Sequence, residues 1–349
     1  MNIAIVRHTI KNRGADRIIF DHADYLISQG HTVSYYTGLR ESSFESHPKI
    51  EYRPIPYKGA IGTLVFMATY RFTEDVVIVD LIVMAVAGRL GLNRNIIYFA
   101  QDYDVTYYSS KLLRGFTHFL YRLGLKSYRI PTITVSEALA ENLRKYNPGH
   151  PQIVTANNGI DLRRFSPKLQ SPYADQKKGK GVIIFYARSD YRKGMDIAQL
   201  ALKKLGQICD LKNWEVWVIG EEFPDVEGVV VRNFRFLDED SLAEILTAAD
   251  IYFMSSRSEG LSTLLLQAIA CGCAVVATEA ANIIAHEKDG LIAPLEDAEG
   301  LAAQLKRLIE DAGRLKHYRA RALQLAQNYS IENCRKNFAA ALQKLAEFT

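Results

Sequence analysis

Residues 250–278 read DIYFMSSRSEGLSTLLLQAIACGCAVVAT and contain a complete structural unit in one stretch. The apolar runs at 250–256 and 274–278 predict two buried strands, and the apolar spacing of residues 262–270 between them predicts a helix. Strands that are joined through a helix run parallel in one sheet. This stretch therefore predicts a protein of the α/β class.

The same alternation of apolar runs and helical patterns extends in both directions. Further strands are predicted at 2–6, 31–37, 75–80, 95–100, 132–136, 153–157, 181–187, 214–220 and 229–234. Further helices are predicted at 16–29, 82–90, 110–126, 137–145, 194–206, 240–248, 298–311, 313–327 and 331–347. Residues 166–181, SPKLQSPYADQKKGKG, interrupt the alternation with two prolines and two glycines, and they predict a linker. We therefore expect two Rossmann-like domains, each with a parallel sheet covered on both faces.

The composition is that of an ordinary globular protein. The chain has 349 residues, of which 48% are hydrophobic and 23% charged, and this length suits about two domains. These values exclude collagen-like, disordered and disulfide-scaffold proteins. The net charge of +4 is too small for a protein that binds nucleic acid backbones. The charge is divided unevenly, at +6 over residues 1–166 and −2 over residues 167–349.

Cysteine usage and the apolar runs indicate a cytoplasmic, reducing location. The chain has four cysteines, Cys209, Cys271, Cys273 and Cys334. Their number and spacing fit neither a disulfide framework nor a zinc site, so we expect buried reduced thiols. Arg7 and His8 interrupt the apolar start, where a signal peptide needs an unbroken run. The longest apolar run, 76–87, contains Asp80 and is too short to span a bilayer.

Two familiar phosphate-binding motifs are missing from the sequence. There is no GxxxxGK[ST], which argues against P-loop kinases, and no GxGxxG after the first strand, which argues against nicotinamide dehydrogenases. In parallel sheets of this kind, ligands lie at the carboxyl ends of the strands. With two domains, we expect the site in the cleft between them.

Residues 188–194, RSDYRKG, follow a predicted strand and open the next helix. The guanidinium of Arg188 and the ammonium of Lys193 would lie near a helix N-terminus, where unpaired amides also attract anions. These residues predict a diphosphate site. A solvated basic turn is the alternative.

Residues 255–262, SSRSEGLS, join a predicted strand to the next predicted helix. Glu259 and Gly260 come just before Ser262, a predicted N-cap, so the carboxylate can accept hydrogen bonds from hydroxyls while free amides face a charged or sugar group. Gln267 follows with an amide that both donates and accepts. Alternatively, Glu259 only stabilises the helix start through the helix dipole.

Two loops in the first half also carry polar residues at the ends of predicted strands. Residues 8–16 contain Gly14, which permits close approach of a ligand. Gln101 and Asp102 begin the segment QDYD after the strand at 95–100. A surface turn and helix caps are the respective alternatives.

Together and in this order, these loops resemble the motifs of the GT4 family of retaining glycosyltransferases, which use nucleotide sugars and have the two-domain GT-B fold. The strongest resemblance is that of Ser258–Gly272, SEGLSTLLLQAIACG, to the family's SEGFGLPLLEAMACG. The segments that resemble the family's GGAER, PNGVD…F, GR…KG and G-L-I-x-P motifs are Arg13–Arg17, Asn157–Asp161 with Phe165, Ala187–Gly194 and Gly290–Pro294.

The resemblance implies an architecture. Two Rossmann-like domains would place their parallel sheets on the two sides of a cleft. Residues 1–166 would bind the acceptor, and residues 167–330 would bind the nucleotide-sugar donor. The helix within residues 331–349 would cross back to the N-terminal domain.

The resemblance also implies roles for individual residues. Arg188 and Lys193 would hold the donor's diphosphate and neutralise the leaving group, so that neither a metal nor another cofactor is needed. Glu259 would hold a hydroxyl of the donor sugar, and Asp102 would be a partner for the acceptor hydroxyl. The other expected donor contacts are Gly14, Gly220, Phe236, Leu237, Gly260, Leu261, Ser262 and Gln267. The expected contacts on the acceptor or sugar side are Arg13, Ala15, Gln101 and Asn158.

Three positions depart from the family pattern. Gln267 stands where the family has the second glutamate of E-x7-E, which binds ribose hydroxyls, and this suggests the hypothesis of a deoxynucleotide-sugar donor. Gln101 replaces the histidine of the family's HD pair, and Ala280 and Ala281 replace a pair of glycines. These departures leave two other classes open: a non-catalytic binding or partner subunit, and an epimerase or phosphorylase of the same fold.

The stretch from Tyr107 to Arg129, YYSSKLLRGFTHFLYRLGLKSYR, combines five basic residues with aromatic residues and leucines and contains no acid. This composition is typical of a peripheral contact with an anionic membrane surface. A core-facing helix with a cationic solvent face is the alternative. The function that the resemblance implies is transfer of a hexose-type sugar to a saccharide, or, with a membrane contact, to a lipid-linked saccharide, in the synthesis of a surface polysaccharide or glycoconjugate.

Overall fold

The structure is a computed structural model that describes residues 1–11, 14–40, 47–150, 152–168 and 171–349. It contains two compact units, one formed by Met1–Asn158 with Glu332–Thr349 and the other by Gly159–Ile331. Each unit is built around its own parallel sheet. The expected class, with two parallel α/β sheets, is confirmed.

The sheet of the first unit has seven strands. In chain order they are β1 (Asn2–Ile10), β2 (Thr32–Arg40), β3 (Glu51–Pro54), β4 (Val76–Val79), β5 (Ile96–Ala100), β6 (Thr132–Thr134) and β7 (Ile153–Thr155). Their order across the sheet is β3-β2-β1-β4-β5-β6-β7. The register places Ile3 of β1 between Val33 of β2 and Val76 of β4, and all three side chains are fully buried. The order reverses between β1 and β4, so the ligand edge of this sheet is expected at their carboxyl ends.

The helices that cover this sheet connect its strands. They are α1 (Gly14–Ser28), α2 (Gly59–Thr69), α3 (Ile82–Leu90), α4 (Lys111–Tyr121) and α5 (Glu137–Arg144). No helix in the described ranges of the chain is long and apolar enough to cross a membrane.

The sheet of the second unit has six strands with the same kind of order. They are β8 (Gly181–Ala187), β9 (Trp214–Gly220), β10 (Val231–Phe234), β11 (Ile251–Met254), β12 (Ala274–Thr278) and β13 (Leu291–Ala293). Their order across the sheet is β10-β9-β8-β11-β12-β13. The reversal here lies between β8 and β11, the strands that precede the two most distinctive loops of the sequence.

The second unit contains its own helices and core. The helices are α6 (Pro172–Gln176), α7 (Met195–Ile208), α8 (Glu239–Ala248), α9 (Thr263–Ala270), α10 (Ala298–Ile309) and α11 (Ala312–Ala326). Buried side chains of β8 and β9, such as Phe185 and Val218, belong to one hydrophobic cluster with Leu202 of α7 and Leu305 of α10. This core holds rigidly the strands from which the site loops emerge.

The C-terminal helix, α12 (Ile331–Ala346), returns to the first unit as expected. The ring of Phe338 stacks on His22 of α1 at a centroid distance of 3.9 Å and meets Phe99 of β5 edge-on at 5.1 Å. The Arg335 guanidinium lies 3.1 Å from the carboxylate of Asp21. The apolar face of α12 is therefore part of the core of the first unit.

Some elements differ from the sequence predictions in length or were not predicted. β1 continues to Ile10, although only 2–6 was predicted, because the polar Arg7 in its second half has buried ion-pair partners. The helix predicted over 110–126 ends at Tyr121 and continues as a π-helical turn over Arg122–Ser127. Four elements, β3, α2, α6 and β13, were not predicted, because they are short or their apolar residues follow no clear periodicity.

The predicted linker at 166–181 lies inside the second unit, and the first unit ends at Asn158 rather than at residue 166. The hydroxyl of Ser171 caps α6 and donates to the carbonyl of Glu244 at 2.9 Å. The Lys177 ammonium lies 3.1 Å from the carboxylate of Asp250. The prolines and glycines of this segment therefore shape a packed surface segment of the second unit.

Candidate active site

The candidate active site of the second unit lies at the carboxyl ends of β8 and β11, where the sheet order reverses. The loop after β8 contains Arg188 and a 3₁₀ turn over Tyr191–Lys193, and it ends at Gly194, the residue that precedes α7. The loop after β11 runs from Ser255 to Ser262, which precedes α9. Two loops that are far apart in the sequence therefore meet at one edge of the sheet.

A glycine allows the two loops to touch. Gly194 has a φ of +62°, and a Cβ at this position would lie 2.1 Å from the carbonyl oxygen of Ser255. The hydroxyl of Ser255 donates to the carbonyl oxygens of Gly194 and Lys193, at 2.9 and 3.2 Å. Both the left-handed backbone and the close approach exclude any other residue at this position without a shift of the loop.

Lys193 and Glu259 form an ion pair between these loops. The ammonium nitrogen of Lys193 lies 2.7 and 2.8 Å from the two carboxylate oxygens of Glu259. The two side chains are only 18% and 8% exposed. The hydroxyl of Ser256 donates to Oε1 of Glu259 at 2.6 Å. Of the residues predicted to be catalytic, these are the two that the structure places in direct contact.

Arg188 differs from Lys193 in having no fixed partner. It follows β8 directly and is half-buried. Within the described ranges of the chain, its guanidinium has no hydrogen bond and no ion pair. Because arginine carries five N–H donors in a planar fork, Arg188 retains its full capacity to bind an anion.

The start of α9 is arranged as predicted. The Ser262 hydroxyl accepts a hydrogen bond from the Leu265 amide at 3.3 Å, which confirms that Ser262 is the N-cap. Leu261 is buried and anchors the loop in the core. The side-chain amide of Asn282, which the sequence did not single out, donates to the carbonyl of Gly260 at 2.9 Å. These contacts hold the loop that carries Glu259.

Other expected donor contacts lie on the same unit, and their roles stay predictions. Gly220 ends β9 with a φ of +102°, and a Cβ there would lie 2.6 Å from the carbonyl of Ala187, so the backbone alone accounts for this glycine. Phe236 is 71% exposed and Leu237 is half-buried, both in the segment after β10. Gln267 lies half-buried on α9.

Two of the residues expected on the acceptor or sugar side are buried amides of the first unit. Gln101 follows β5 and is 8% exposed, and Asn158 is 2% exposed. Nε2 of Gln101 and Oδ1 of Asn158 have no hydrogen-bond partner among the residues described. Asp102 is half-buried and accepts a hydrogen bond from the hydroxyl of Tyr107 at 3.0 Å. Buried amides without partners fit a site for a polar ligand.

The glycine-containing loop after β1 is shorter than expected. Since β1 ends at Ile10 and α1 begins at Gly14, His8 belongs to the strand. Gly14 is exposed and Ala15 half-buried in the first turn of α1. Arg13 lies outside the described residues.

The sequence did not predict a buried charge cluster at the ligand edge of the first unit. The Arg7 guanidinium of β1 lies 2.7 Å from Asp16 of α1 and 2.6 Å from Asp80, which follows β4. The three side chains are 12%, 2% and 12% exposed, respectively. No short motif could reveal this cluster, because its members come from three separate elements.

Asp104, the last residue of the predicted QDYD segment, is a further buried acidic group at this edge. One of its carboxylate oxygens accepts from the Ile82 amide at the start of α3 at 2.8 Å, and the other accepts from the Tyr98 hydroxyl at 3.0 Å. Burial raises the pKa of Asp104 to about 7, although both of these hydrogen bonds act to lower it. Asp104 therefore changes charge near neutral pH.

The basic stretch of the first unit is largely exposed on α4. Leu112, Phe116 and Phe119 are 81%, 53% and 52% exposed. The basic residues that are exposed with them are Lys111, Arg114, Arg122, Lys126 and Arg129. The opposite side of α4 is buried at Thr117 and Leu120. The helix thus presents apolar and basic side chains together to solvent.

Neither the acidic residues nor the cysteines form a metal site in the described ranges. No group of three or more His, Cys, Asp and Glu side chains is placed there to hold a metal ion. Cys271, Cys273 and Cys334 are buried free thiols, and Cys209 is half-buried. Burial raises the pKa of Cys271 to about 12, so this thiol is unreactive at neutral pH.

Comparison with known proteins gives family matches to both units. Residues 12–164 match the family described as Glycosyltransferase Family 4, and residues 180–311 match the family described as Glycosyl transferases group 1. A phosphatidyl-myo-inositol mannosyltransferase of Mycolicibacterium smegmatis is 26% identical to the chain over 296 residues, which cover 79% of this chain and 75% of that protein.

Solved structures share the fold at lower sequence identity. A sucrose-phosphate synthase from Thermosynechococcus elongatus has a TM-score of 0.81 at 16% identity, with all of both chains covered. The Anabaena protein HepE in complex with UDP-glucose has a TM-score of 0.73 at 16% identity, with 99% of this chain and 100% of that chain covered. The two family matches follow one another along the chain, and the chain therefore belongs to the group 1, family 4 glycosyltransferases, with the GT-B fold.

Proposed function

We propose that this chain transfers a hexose-type sugar from a nucleoside diphosphate sugar to a saccharide or lipid-linked saccharide, with retention of configuration and without a metal ion. The observation that carries the proposal is the contact of Lys193 with Glu259, beside the unpaired Arg188, at the switch point of the second sheet. Cations at this edge suit a diphosphate.

The available hydrogen bonds support a diphosphate at Arg188 and Lys193. An ammonium has three donors, and Glu259 occupies two of those of Lys193, so one remains for a phosphate oxygen. The guanidinium of Arg188 adds a planar fork that matches phosphate oxygens. As the bond between the sugar carbon and the phosphate oxygen breaks, negative charge develops on the diphosphate, and the two cations would stabilise it.

Glu259 is suited to the sugar rather than to the phosphate. Its carboxylate has room for about four hydrogen bonds. It uses two for Lys193 and one for Ser256, which leaves capacity for a sugar hydroxyl. With retention, the acceptor oxygen attacks from the leaving-group side, and its proton passes to the departing phosphate oxygen, so no further base is needed.

A nucleotide panel tests the donor site. We expect a nucleoside diphosphate among UDP, GDP, ADP and dTDP to raise the melting temperature, and the corresponding sugar nucleotide to support transfer that persists in EDTA. Lys193→Ala should lower nucleotide affinity about a hundredfold and abolish transfer, since a lost hydrogen bond to a charged group costs about 1.5–3 kcal/mol. Lys203→Ala, an exposed lysine of the same unit, serves as the control.

Three outcomes would contradict parts of the proposal. Unaltered transfer by Lys193→Ala would remove the assigned site. Nucleotide-sugar binding without transfer to any acceptor would favour a binding subunit over an enzyme. Loss of transfer in EDTA, restored by a divalent cation, would contradict the metal-independent reaction.

We also propose that α4 and the π-helical turn that follows it contact an anionic membrane surface, which would bring a lipid-linked acceptor to the first unit. Their exposed leucines and phenylalanines would enter the interface, and their basic residues would contact phosphate headgroups, each contributing about 1 kcal/mol. The lipid named in the mycobacterial relative supports an acceptor of this class.

Vesicle sedimentation tests the membrane contact. Four charge reversals to Glu at Lys111, Arg114, Arg122 and Lys126 should abolish sedimentation with phosphatidylglycerol vesicles. A control with the same change in net charge reverses four exposed lysines of the second unit, Lys203, Lys212, Lys288 and Lys316. Equal sedimentation of both variants would show that net charge, and not α4, mediates the binding.

A further inference from the structure

Two of the arginines in the loops of the Lys193–Glu259 pair, Arg188 and Arg257, differ in what their guanidinium groups already bind. Arg188 has no hydrogen bond or ion pair in the described ranges of the chain. Arg257, two residues before Glu259, is 11% exposed and has partners on three other segments. In the sequence both arginines simply add positive charge to site loops.

Every N–H group of Arg257 is in use. Its Nε donates to Oε1 of Glu296, and its two terminal nitrogens donate to both carboxylate oxygens of Asp196, to Oε2 of Glu296 and to the carbonyl of Tyr191. These are five hydrogen bonds, and an arginine side chain has five N–H donors. Arg257 therefore has no donor left for a diphosphate.

The partners of Arg257 surround the loop that carries Lys193. The guanidinium also lies over the ring of Tyr191, at 4.0 Å from its centroid, and the Arg257 amide donates to the carbonyl of Arg192 at 2.7 Å. Tyr191 and Arg192 immediately precede Lys193, and Asp196 lies in the first turn of α7. Arg257 thus ties the second half of the β8 loop and the first turn of α7 to the loop that contains Glu259.

We propose that Arg257 is a positioning residue that sets the distance between Lys193 and Glu259 without touching the substrate. The inference rests on the proposed function, because it concerns the same site. Misplacement of a binding group by about 1 Å is enough to reduce catalysis about a hundredfold. Loss of the Arg257 guanidinium would remove the hydrogen bonds that hold the β8 loop. Lys193 would then be less well positioned, and diphosphate binding should weaken.

The test compares Arg257→Gln and Arg257→Lys with Arg307→Gln, which removes an arginine–carboxylate pair of the same unit on α10. The probe is the nucleoside diphosphate that gives the largest thermal shift in the panel above, titrated by calorimetry. We expect about tenfold weaker binding for Arg257→Gln and an intermediate loss for Arg257→Lys, which keeps the charge without the fork. Arg307→Gln should bind like the wild type. Because Asp196 and Glu296 are 66% and 51% exposed, they remain solvated without Arg257, and all variants should fold.

A double variant separates positioning from direct binding. In a Lys193→Gln background, Arg257→Gln should weaken the binding further by less than about twofold, because its effect passes through Lys193. Full additivity of the two losses would overturn the proposal, and so would wild-type affinity of both Arg257 variants. A wild-type protein that binds none of the four nucleotides would instead contradict the proposed function.

Discussion

The two sheets have the same doubly wound order, but the charged side chains at their ligand edges are paired differently. At the edge formed by β8 and β11, Arg188 is unpaired in the described ranges and Lys193 holds the carboxylate of Glu259. At the edge formed by β1, β4 and β5, Arg7 is paired with both Asp16 and Asp80. Two further acidic residues, Asp102 and Asp104, follow β5 at the same edge.

The helix N-termini at the two edges also differ, although both edges carry an aspartate in a first helical turn. Asp196 of α7 is paired with Arg257, and α9 has no acidic residue in its first turn. In the first unit, Asp104 accepts from the Ile82 amide at the start of α3, and Asp16 lies in the first turn of α1. These carboxylates already occupy positions where a helix dipole would attract an anion. The sheet order thus indicates where a ligand lies, and the charged side chains restrict which ligand fits. Because Arg188 has no hydrogen bond or ion pair among the described residues, we expect an anionic ligand at the edge of the second unit.

The largest predicted effect is on the charge cluster of the first edge. Arg7→Met should lower the free energy of unfolding by about 3–5 kcal/mol, because it leaves Asp16 and Asp80 buried without their partner. Urea unfolding at pH 7 measures the change. Arg71→Met, at an exposed position, should stay within about 0.5 kcal/mol of the wild type. A cost below about 1 kcal/mol for Arg7→Met would show that the cluster is not needed for stability.

The corresponding change at the edge of the second unit, Arg188→Met, should lower the affinity for a nucleoside diphosphate but leave the free energy of unfolding nearly unchanged. Arg188→Met removes a guanidinium that has no hydrogen bond or ion pair in the described structure and only an electrostatic interaction with the nearby Asp190, so the unfolding midpoint should change little. Nucleoside diphosphate affinity should fall about 10- to 100-fold, which corresponds to about 1.5–3 kcal/mol for a charged hydrogen bond. A stability loss with unchanged affinity would reverse the contrast between the two edges.

The pH dependence of stability should distinguish Asp104. Its folded pKa of about 7 lies above the ordinary value of 3.8, so between these pH values the folded state holds a proton that the unfolded state has released. Stability contributed by Asp104 therefore falls as the pH rises, by up to about 1.4 kcal/mol for each pH unit. Asp104→Asn should remove this slope in urea unfolding between pH 5 and 7. Parallel profiles of the variant and the wild type would contradict the assignment.

The stability profile of Asp104→Asn has to be compared with that of the wild type, because the buried His22 also makes the stability depend on pH. Burial, and then the charge of Arg335, lower the pKa of His22 to about 3. Below the ordinary value of 6.5, this neutral histidine makes stability increase with rising pH, which opposes the effect of Asp104. Subtraction of the Asp104→Asn profile isolates Asp104, since His22 is the same in both proteins.

The smallest predicted effect concerns residue 267, where this chain has a glutamine and the family pattern has a glutamate. Gln267→Glu restores the carboxylate that the family resemblance assigns to ribose, and it should increase the preference for UDP over dUDP severalfold, worth about 1 kcal/mol. Calorimetric titration with the two nucleotides measures the ratio, with Gln199→Glu at an exposed position as the control. No change in the ratio would place residue 267 outside the ribose site.

Much of the second site could be predicted from sequence because its loops are contiguous motifs. Arg188, Lys193 and Glu259 each lie in a loop between an apolar run and a helical pattern, and the N-cap at Ser262 is a local signal. The edge of the first unit was harder to predict, since Arg7 lies inside a strand and meets its partners only in the folded sheet. The domain boundary was misplaced for a related reason: residues 166–181 have the composition of a linker but pack against α8 and Asp250.

By itself, the sequence determined the order of the strands and helices, the family, and the two loops that carry the site, because periodicity and motifs are properties of neighbouring residues. Only the tertiary structure decided which charges are available to a ligand. All five N–H donors of Arg257 are bound, two of them to Asp196, which is 61 residues away, whereas Arg188 has no hydrogen bond or ion pair in the described ranges. Burial and partner choice depend on residues brought together by folding. These two properties distinguish the arginine that we propose binds the diphosphate from the one that we propose positions the loop.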